Sequence, residues 1–161
     1  MIPQHFLTDT SALHAGDAVA ALIVAEDGRY LLQLRDDIPG IFYPGHWGCF
    51  GGALSPGESP AACLRRELSE ELEFRPDVLP EFIRFDFDLS RIGTQQKVYR
   101  IYYEVTVTQA AVSRFVLHEG AGLGLFGAAD IFHRSNITPY DSFAIWLHVA
   151  RRRFGVDPQV A

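Results

Sequence analysis

Four glutamates stand close together in segment 65–74, which reads RRELSEELEF. Carboxylate oxygens are the ligands that Mg²⁺ and other hard divalent cations prefer. A helix turns by about 100° per residue, so Glu67, Glu70 and Glu71 fall on one flank of the leucine stripe that would face the core. Glu71 points almost into that core. The segment therefore suggests a metal site built on a helix.

By itself, this arrangement opposes helix formation. Like charges three or four residues apart cost a few tenths of a kcal/mol per pair, and anions near a helix C-terminus oppose the helix dipole. A half-buried, unpaired carboxylate costs more and normally takes up a proton. Several unfavourable charge placements within one helix are expected at functional sites. The alternative is a solvated acidic face partnered by Arg65 and Arg66.

The chain before this helix supplies residues that would complete a metal site. Gly51 and Gly52 allow close approach of the backbone, and a glycine carbonyl is a further oxygen ligand. Glu58 lies just before the helix, and Arg66 lies one turn before Glu70, where it can orient that carboxylate. These neighbours favour a metal site over a solvated face.

The spacing of these residues resembles the Nudix box, G-x5-E-x7-R-E-U-x-E-E-x-G-U, in which U is apolar. The chain has Gly52, then Glu58, then the run RELSEELEF at 66–74. Every position matches except Glu73, which stands where the family has glycine. That glycine ends the helix in a left-handed conformation, so we expect Glu73 to cost about 1 kcal/mol or to shift the helix end. No metal ligand is lost by this change.

The resemblance implies a hydrolase that cleaves the pyrophosphate linkage of a small nucleoside diphosphate derivative by water attack at phosphorus. It also implies Mg²⁺ (or Mn²⁺) as cofactor, and it leaves the general base open between a box glutamate and Glu119. The implied catalytic residues are Arg66, Glu67, Glu70, Glu71 and Glu119. The implied metal ligands are Gly51, Gly52, Glu67, Glu70, Glu71 and Glu119.

Each candidate site residue outside the Nudix box has two interpretations. Glu119 lies in a later loop similar to one that supplies a metal ligand or base in relatives, or it is a solvated loop residue. Arg35 could meet a phosphate, or it is a surface charge. Phe42 and Trp47, in a loop rich in glycine and proline, could stack on a base or could pack that loop onto the core. Asp141 could read a base edge, as in relatives, or cap a helix.

The rest of the chain predicts the elements that position these residues. We expect a hairpin at 18–25 and 30–34, followed by a shaped loop at 36–57 with one short strand. A helix capped by Ser59 should run from Pro60 to about Leu72, and two antiparallel strands should follow at 82–89 and 98–107. After an irregular glycine-rich segment at 120–127, we expect a final helix at about 143–153 capped by Asp141 or Ser142. This order fits a mixed sheet with helices on both faces. The expected fold class is α/β, a Nudix-like α/β/α sandwich, with 1–161 as a single domain.

Composition and charge narrow the classes of function. The chain is 48% hydrophobic with a net charge of −6, which disfavours polymeric nucleic acid and anionic lipid but allows a small nucleotide whose charge metal ions offset. No apolar run is long enough to span a membrane and the N-terminus has no signal-peptide pattern, so we expect a cytoplasmic protein with no membrane partner. Cys49 and Cys63 are expected to be free thiols. A homodimer is left open.

Three functions are compatible with these observations. The first is a metal-dependent pyrophosphohydrolase of nucleoside triphosphates or nucleotide sugars. The second is a Nudix-fold nucleotide-sensing module without turnover, and the third is a domain whose acidic helix binds Ca²⁺ or a basic partner. Sensor modules often lose box glutamates, whereas this chain keeps them, so the first is preferred. Family signals for ADP-ribose and diadenosine polyphosphates are absent after the box.

Overall fold

A computed structural model describes residues 13–93 and 96–154 of the chain. The strands are β1 (Ala18–Ala25), β2 (Tyr30–Leu34), β3 (Trp47–Gly48), β4 (Glu81–Asp88), β5 (Lys97–Val107) and β6 (Gly122–Phe126). The helices are α1 (Pro60–Leu72), α2 (Gln109–Val112), α3 (Ala128–His133) and α4 (Pro139–Ala150), with 3₁₀ turns at Leu89–Ile92 and Arg151–Phe154.

No helix within the described ranges is long and apolar enough to cross a membrane. The N-terminal segment, which carries the expectation of no signal peptide, lies outside those ranges. The expectation of a single domain over 1–161 likewise extends beyond them.

The six strands form one mixed sheet. Its order is β3-β2-β1-β5-β4, and β6 pairs with the free side of β2. β1 runs parallel to β5, from Ala18 opposite Arg100 to Ala25 opposite Val107, and the other strand pairs are antiparallel. The predicted hairpin, the predicted antiparallel pair β4–β5 and the mixed sheet are confirmed.

Alternation along β1 divides the core into two layers. Val19, Ala21 and Ile23 pack on one face of the sheet with the leucines of α1. Ala20 and Leu22 pack on the other face with residues of α3 and α4. Because successive strand residues point to opposite faces, one apolar strand serves both layers. The expected α/β/α sandwich is confirmed.

Helix α1 begins and ends close to its predicted limits. The Ser59 hydroxyl accepts a hydrogen bond from the Ala62 N–H, and Pro60 occupies the first helical position. Glu73 ends the helix in the left-handed region, with φ 54° and ψ 33°. The N–H groups of Glu73 and Phe74 donate back to carbonyls of the last turn, each at 3.1 Å. The chain therefore keeps the expected helix end without its glycine.

The predicted start and cap of the last helix are wrong. Helix α4 begins at Pro139 and its N-cap is Thr138, so neither Asp141 nor Ser142 caps it. Asp141 lies in the first turn with only 1% of its surface exposed. A proline at the first helical position after a threonine is itself a start signal, because proline lacks an N–H that would have no partner there.

The glycine-rich segment before α3 is also more regular than predicted. Residues 122–126 form β6, which pairs antiparallel with β2 from Leu34 opposite Gly122 to Tyr30 opposite Phe126. A Cβ at Gly124 would lie 3.0 Å from the Phe126 ring and 3.3 Å from Trp47. Here glycine makes room for aromatic rings over a strand.

A buried polar network ties the end of α4 to the sheet. The Nδ1 atom of His148 lies 2.7 Å from the Tyr30 hydroxyl, and its Nε2 atom lies 3.1 Å from a carboxylate oxygen of Glu104. Arg151 donates to the same Glu104 oxygen, and the Phe82 ring packs edge-on against the imidazole. Burial lowers the pKa of His148 from its ordinary 6.5, Glu104 opposes this and Arg151 adds to it.

We expect the free energy of unfolding to fall as the pH drops below about 6.5, because His148 then binds a proton in the unfolded chain but not in the folded protein. The loss is complete once the pH is below the lowered pKa of the folded state. The His148→Gln variant should show a weaker pH dependence in denaturant titrations. His133→Gln, at an exposed histidine, is the control. If the free energy of unfolding depended on pH equally in both variants, this role of His148 would be contradicted.

Candidate active site

A glycine pair lies against the middle of the sheet. The Ala21 N–H donates to the Phe50 carbonyl and the Val19 N–H to the Gly52 carbonyl, each at 2.9 Å. Between them, Gly51 has φ 133°, and a Cβ there would lie 2.3 Å from the Val19 carbonyl oxygen. Only glycine fits this contact, which holds the loop against β1.

Glu71 points from α1 into this loop and is almost fully buried, with 3% exposure. The Gln33 side-chain amide donates to one carboxylate oxygen at 3.2 Å, and the Gly51 N–H donates to the other at 3.1 Å. Burial raises the pKa of Glu71 to about 8, and the charges of Glu67 and Glu119 add to the rise. At neutral pH this raised pKa favours a protonated Glu71, as expected for a buried carboxyl group that has no cationic partner.

Glu67 lies directly against the second glycine. A Cβ at Gly52 would come within 2.4 Å of the Glu67 carboxylate carbon. Burial raises the pKa of Glu67, Arg66 lowers it, and the charges of Glu70 and Glu119 raise it further. The three box carboxylates and Glu119 therefore act on a common region beside the glycine loop.

Arg66 holds the outer side of this cluster. Its guanidinium binds both oxygens of Glu58 at 2.9 Å and one oxygen of Glu67 at 2.7 Å. The predicted contact with Glu70 is present at 3.3 Å, although that carboxylate remains exposed. These bonds lower the pKa of Glu58 to about 2. Arg66 thus fixes the separation of three carboxylates.

The loop that follows α2 brings Glu119 to the same region. The His118 N–H donates to the Glu71 carbonyl at 3.0 Å, which gives a partner to a carbonyl in the last turn of α1. Gly120 has φ 91°, and a Cβ there would lie 2.8 Å from the Leu34 carbonyl oxygen. Glu119 is held between these two contacts with its side chain exposed.

The donor set fits a hard divalent cation. It consists of carboxylate oxygens and one backbone carbonyl, the ligands that Mg²⁺ prefers. The Gly52 carbonyl is bound by Val19, whereas the Gly51 carbonyl accepts no hydrogen bond from any described residue, so Gly51 is the better carbonyl ligand. No three acidic, histidine or cysteine side chains of the described ranges are gathered closely enough to hold an ion as they stand. Binding would therefore require Glu67 and Glu70 to turn inward from Arg66.

Comparison with known proteins assigns the family. The NUDIX domain model matches residues 14–131. The chain belongs to the Nudix family. The predicted resemblance is confirmed, and Gly52 to Phe74 is its Nudix box.

One named relative is similar in sequence, and two solved structures are similar in fold. Nucleoside triphosphatase NudI of Salmonella typhimurium (strain LT2) is 38% identical over 85 residues, which are 50% of this chain and 60% of that protein. The MutT protein of Methanosarcina mazei Go1 has a TM-score of 0.66 at 23% identity, covering 90% of this chain and 100% of that one. The NUDIX domain of Shewanella oneidensis NrtR, solved with ADP ribose, has a TM-score of 0.63 at 20% identity, covering 96% and 99%. The solved structures show the fold alone.

The aromatic and basic residues predicted outside the Nudix box make contacts within their own loop. The Arg35 guanidinium donates to the Phe42 carbonyl at 2.9 Å, which ties the loop to the end of β2. Phe42 is half-buried. Trp47 packs edge-on against Phe126 with ring centroids 4.7 Å apart. These contacts favour the packing interpretation for Phe42 and Trp47.

Asp141 is the centre of a buried network. One oxygen accepts hydrogen bonds from the Cys49 N–H at 2.9 Å and the Thr138 hydroxyl at 2.6 Å. The other accepts from the Tyr102 hydroxyl at 2.8 Å and lies 3.4 Å from Arg100. Both oxygens are used by protein donors, so Asp141 joins β5 and α4 to the residue after β3. The structure does not place it as a substrate contact.

Gln33 was missed in the sequence, although it contributes to the site. It is 4% exposed and is the one polar residue of β2, which reads YLLQL. A buried amide in an apolar strand needs a partner, which was the available signal. The identity of that partner, Glu71, depends on packing between β2 and α1. Cys49 and Cys63 are free, as predicted, and both are buried.

Alanine at the two glycines should have different effects. Gly51→Ala forces a Cβ into backbone at a positive φ, so we expect loss of the folded state. Gly52→Ala meets only the movable end of Glu67, so we expect a melting temperature near wild type but weaker Mg²⁺ binding. Calorimetric titration and thermal unfolding measure both. Equal Mg²⁺ affinity for Gly52→Ala and wild type would contradict the placement of Glu67.

Proposed function

We propose that this Nudix domain hydrolyses the pyrophosphate linkage of a small nucleotide with the help of Mg²⁺ or Mn²⁺. Nudix hydrolases generally use such metals. The observation that carries the proposal is that Glu67 and Glu71 lie against the glycine loop while Arg66 holds Glu70 beside Glu67. A set of like charges on one helix flank is costly unless a cation binds there.

Each residue of the cluster has a distinct part in this proposal. Glu67, Glu70 and Glu71 bind the metal, together with the Gly51 carbonyl. A divalent cation at such a site neutralises the diphosphate and activates water for attack at phosphorus. Arg66 keeps the carboxylates apart and oriented until the metal and substrate arrive.

The general base is proposed to be Glu119 or a box glutamate. Glu119 is exposed, and its charge acts on both Glu67 and Glu71, so we expect it to reach a water molecule beside the substrate. Glu71 has both oxygens engaged by Gln33 and Gly51, so it is better suited to fixed ligation than to proton transfer. Glu119 is therefore our first choice for the base, and it also remains a candidate ligand.

Nucleoside triphosphates are the substrate class that the relatives favour. NudI is named a nucleoside triphosphatase, and its match to this chain reaches 38% identity. The match covers 60% of that protein, so the substrate is inferred rather than transferred. Nucleotide sugars are the second class, and a nucleotide-sensing module without turnover is the alternative function. The intact set of box glutamates favours the enzyme.

Replacing Glu70 or Glu71 by glutamine should abolish most turnover while the protein stays folded. Each change removes a carboxylate that could bind the metal as an anion, so we expect kcat/KM to fall by about 100-fold or more. In Glu71→Gln, rotation of the Gln33 amide can restore the hydrogen bond between the two side chains. Initial rates on a panel of triphosphates and nucleotide sugars, with products identified by mass, provide the measurement.

The exposed Glu81→Gln change is the matched control for these variants, because it removes one carboxylate that lies outside the Nudix box. Near-wild-type rates for both box variants would refute the proposed ligands. Nucleotide binding by wild type without any Mg²⁺-dependent product would favour the sensor instead.

A further inference from the structure

The residue that departs from the Nudix box makes a contact of its own. Glu73 occupies the left-handed region, which disfavours residues other than glycine. Its side chain lies 2.7 Å from the Nε2 atom of His118. Glycine could form the same helix end with less strain, but it could not make this contact. Strain that is retained together with a specific contact indicates a role for the side chain.

His118 is thereby held at two points by the end of α1. Its imidazole contacts Glu73, and its backbone N–H donates to the Glu71 carbonyl at 3.0 Å. Glu119 is the next residue, and its charge acts on Glu71. On the other side of Glu119, Gly120 packs against the Leu34 carbonyl. The backbone of Glu119 is fixed from both directions.

We propose that Glu73 is a positioning residue that acts through His118 to hold Glu119 beside the box carboxylates. This inference rests on the proposed function, since it gives Glu119 a part in metal binding or proton transfer. Its geometric content is independent of turnover: the loop at 116–120 is docked on α1 by a side chain that most of the family lacks at this position.

The Glu73→Gly variant separates positioning from stability because the two effects have opposite signs. The melting temperature of the metal-free protein should stay the same or rise, since glycine relieves the left-handed strain. The His118 amide should exchange faster with solvent. Both Mg²⁺ affinity and kcat/KM should fall by about 10-fold, because Glu73 no longer holds His118 and Glu119 is then less well positioned.

Further variants test the route through His118. His118→Ala should reproduce the loss, Glu73→Gln should restore activity because its amide oxygen still accepts from the imidazole, and the double variant Glu73→Gly/His118→Ala should lose no more than either single change. Lys97→Ala, which removes the exposed ion pair with Asp88, is the control.

Wild-type kcat/KM and unchanged His118 exchange in Glu73→Gly would overturn the proposal. If wild type shows no Mg²⁺-dependent hydrolysis, the proposed function fails, and amide exchange with Mg²⁺ titration alone decides whether Glu73 positions the loop.

A separate observation concerns the open edge of the sheet. Within the described ranges, β4 pairs only with β5. Aromatic rings continue from this edge onto α4: Phe85 stacks on Phe143 at 5.5 Å, and Phe143 stacks on Trp146 at 6.1 Å. Phe143 and Trp146 are 53% and 45% exposed. An exposed aromatic patch at an unpaired strand is typical of an interaction surface.

The charged residues of β4 indicate which partner would fit this edge. Arg84 and Asp86 lie on its other face and bind each other. If a second copy of β4 pairs antiparallel about Phe85, Arg84 of each copy lies opposite Asp86 of the other, and Ile83 lies opposite Phe87. A shift of the centre to Arg84 or Asp86 would place like charges opposite each other, which is unfavourable.

We infer that this edge binds a second copy of the chain, with two β4 strands paired about Phe85. This surface is self-complementary, as a twofold dimer requires. Sedimentation equilibrium of the full chain should show a dimer. Arg84→Asp should give a monomer, and the exchanged pair Arg84→Asp/Asp86→Arg should restore the dimer.

The control exchanges Asp27 and Arg29, another exposed pair two residues apart, and should leave the dimer intact. A monomeric wild type would overturn the inference and leave the patch to another occupant. A dimer that survives both Arg84→Asp and Trp146→Ser would place the interface elsewhere, and failure of the exchanged pair to restore dimerisation would refute the register.

Discussion

Mutual repulsion among carboxylates on one flank of α1 is the constraint on which the rest of the structure depends. Glu71 is inside the protein, with its oxygens held by an amide and a backbone N–H that carry no full charge. Glu67 and Glu70 share a single guanidinium with Glu58. The glycine loop, the left-handed helix end and the loop at 116–120 all bring backbone toward this charge. The proposed cation would offset the repulsion among these carboxylates.

The two faces of the sheet treat buried acid differently. On the α4 face, Asp141 receives two hydroxyls, one N–H and a guanidinium, so its charge is satisfied by the protein. On the α1 face, Glu71 has two neutral donors and two acidic neighbours, and its pKa rises. A buried carboxylate with complete partners supports the fold, whereas one without them is suited to binding. This contrast separates a carboxylate that supports the fold from one that is suited to binding, on opposite faces of one sheet.

Local signals carried most of what the sequence could predict. The limits of α1 followed from Ser59, Pro60 and the leucine spacing, and the glutamate cluster followed from helical geometry. The start of α4 was wrong because Asp141 or Ser142 was taken as the cap, although Pro139 after Thr138 indicated the earlier start. The network around Asp141 joins residues 39 and 92 positions apart, and no local pattern reveals such pairs. The strand β6 was missed because glycines were taken as breaks, whereas tertiary packing with Trp47 and Phe126 favours a strand there.

The most direct test is a crystal structure of the full chain grown with Mn²⁺ and a non-hydrolysable nucleotide, with anomalous scattering used to locate the metal. The account predicts an anomalous peak bounded by Glu67, Glu70, Glu71 and the Gly51 carbonyl, in contact with the diphosphate. A diphosphate bound elsewhere, with no peak at these carboxylates and their side chains directed into solvent, would contradict it.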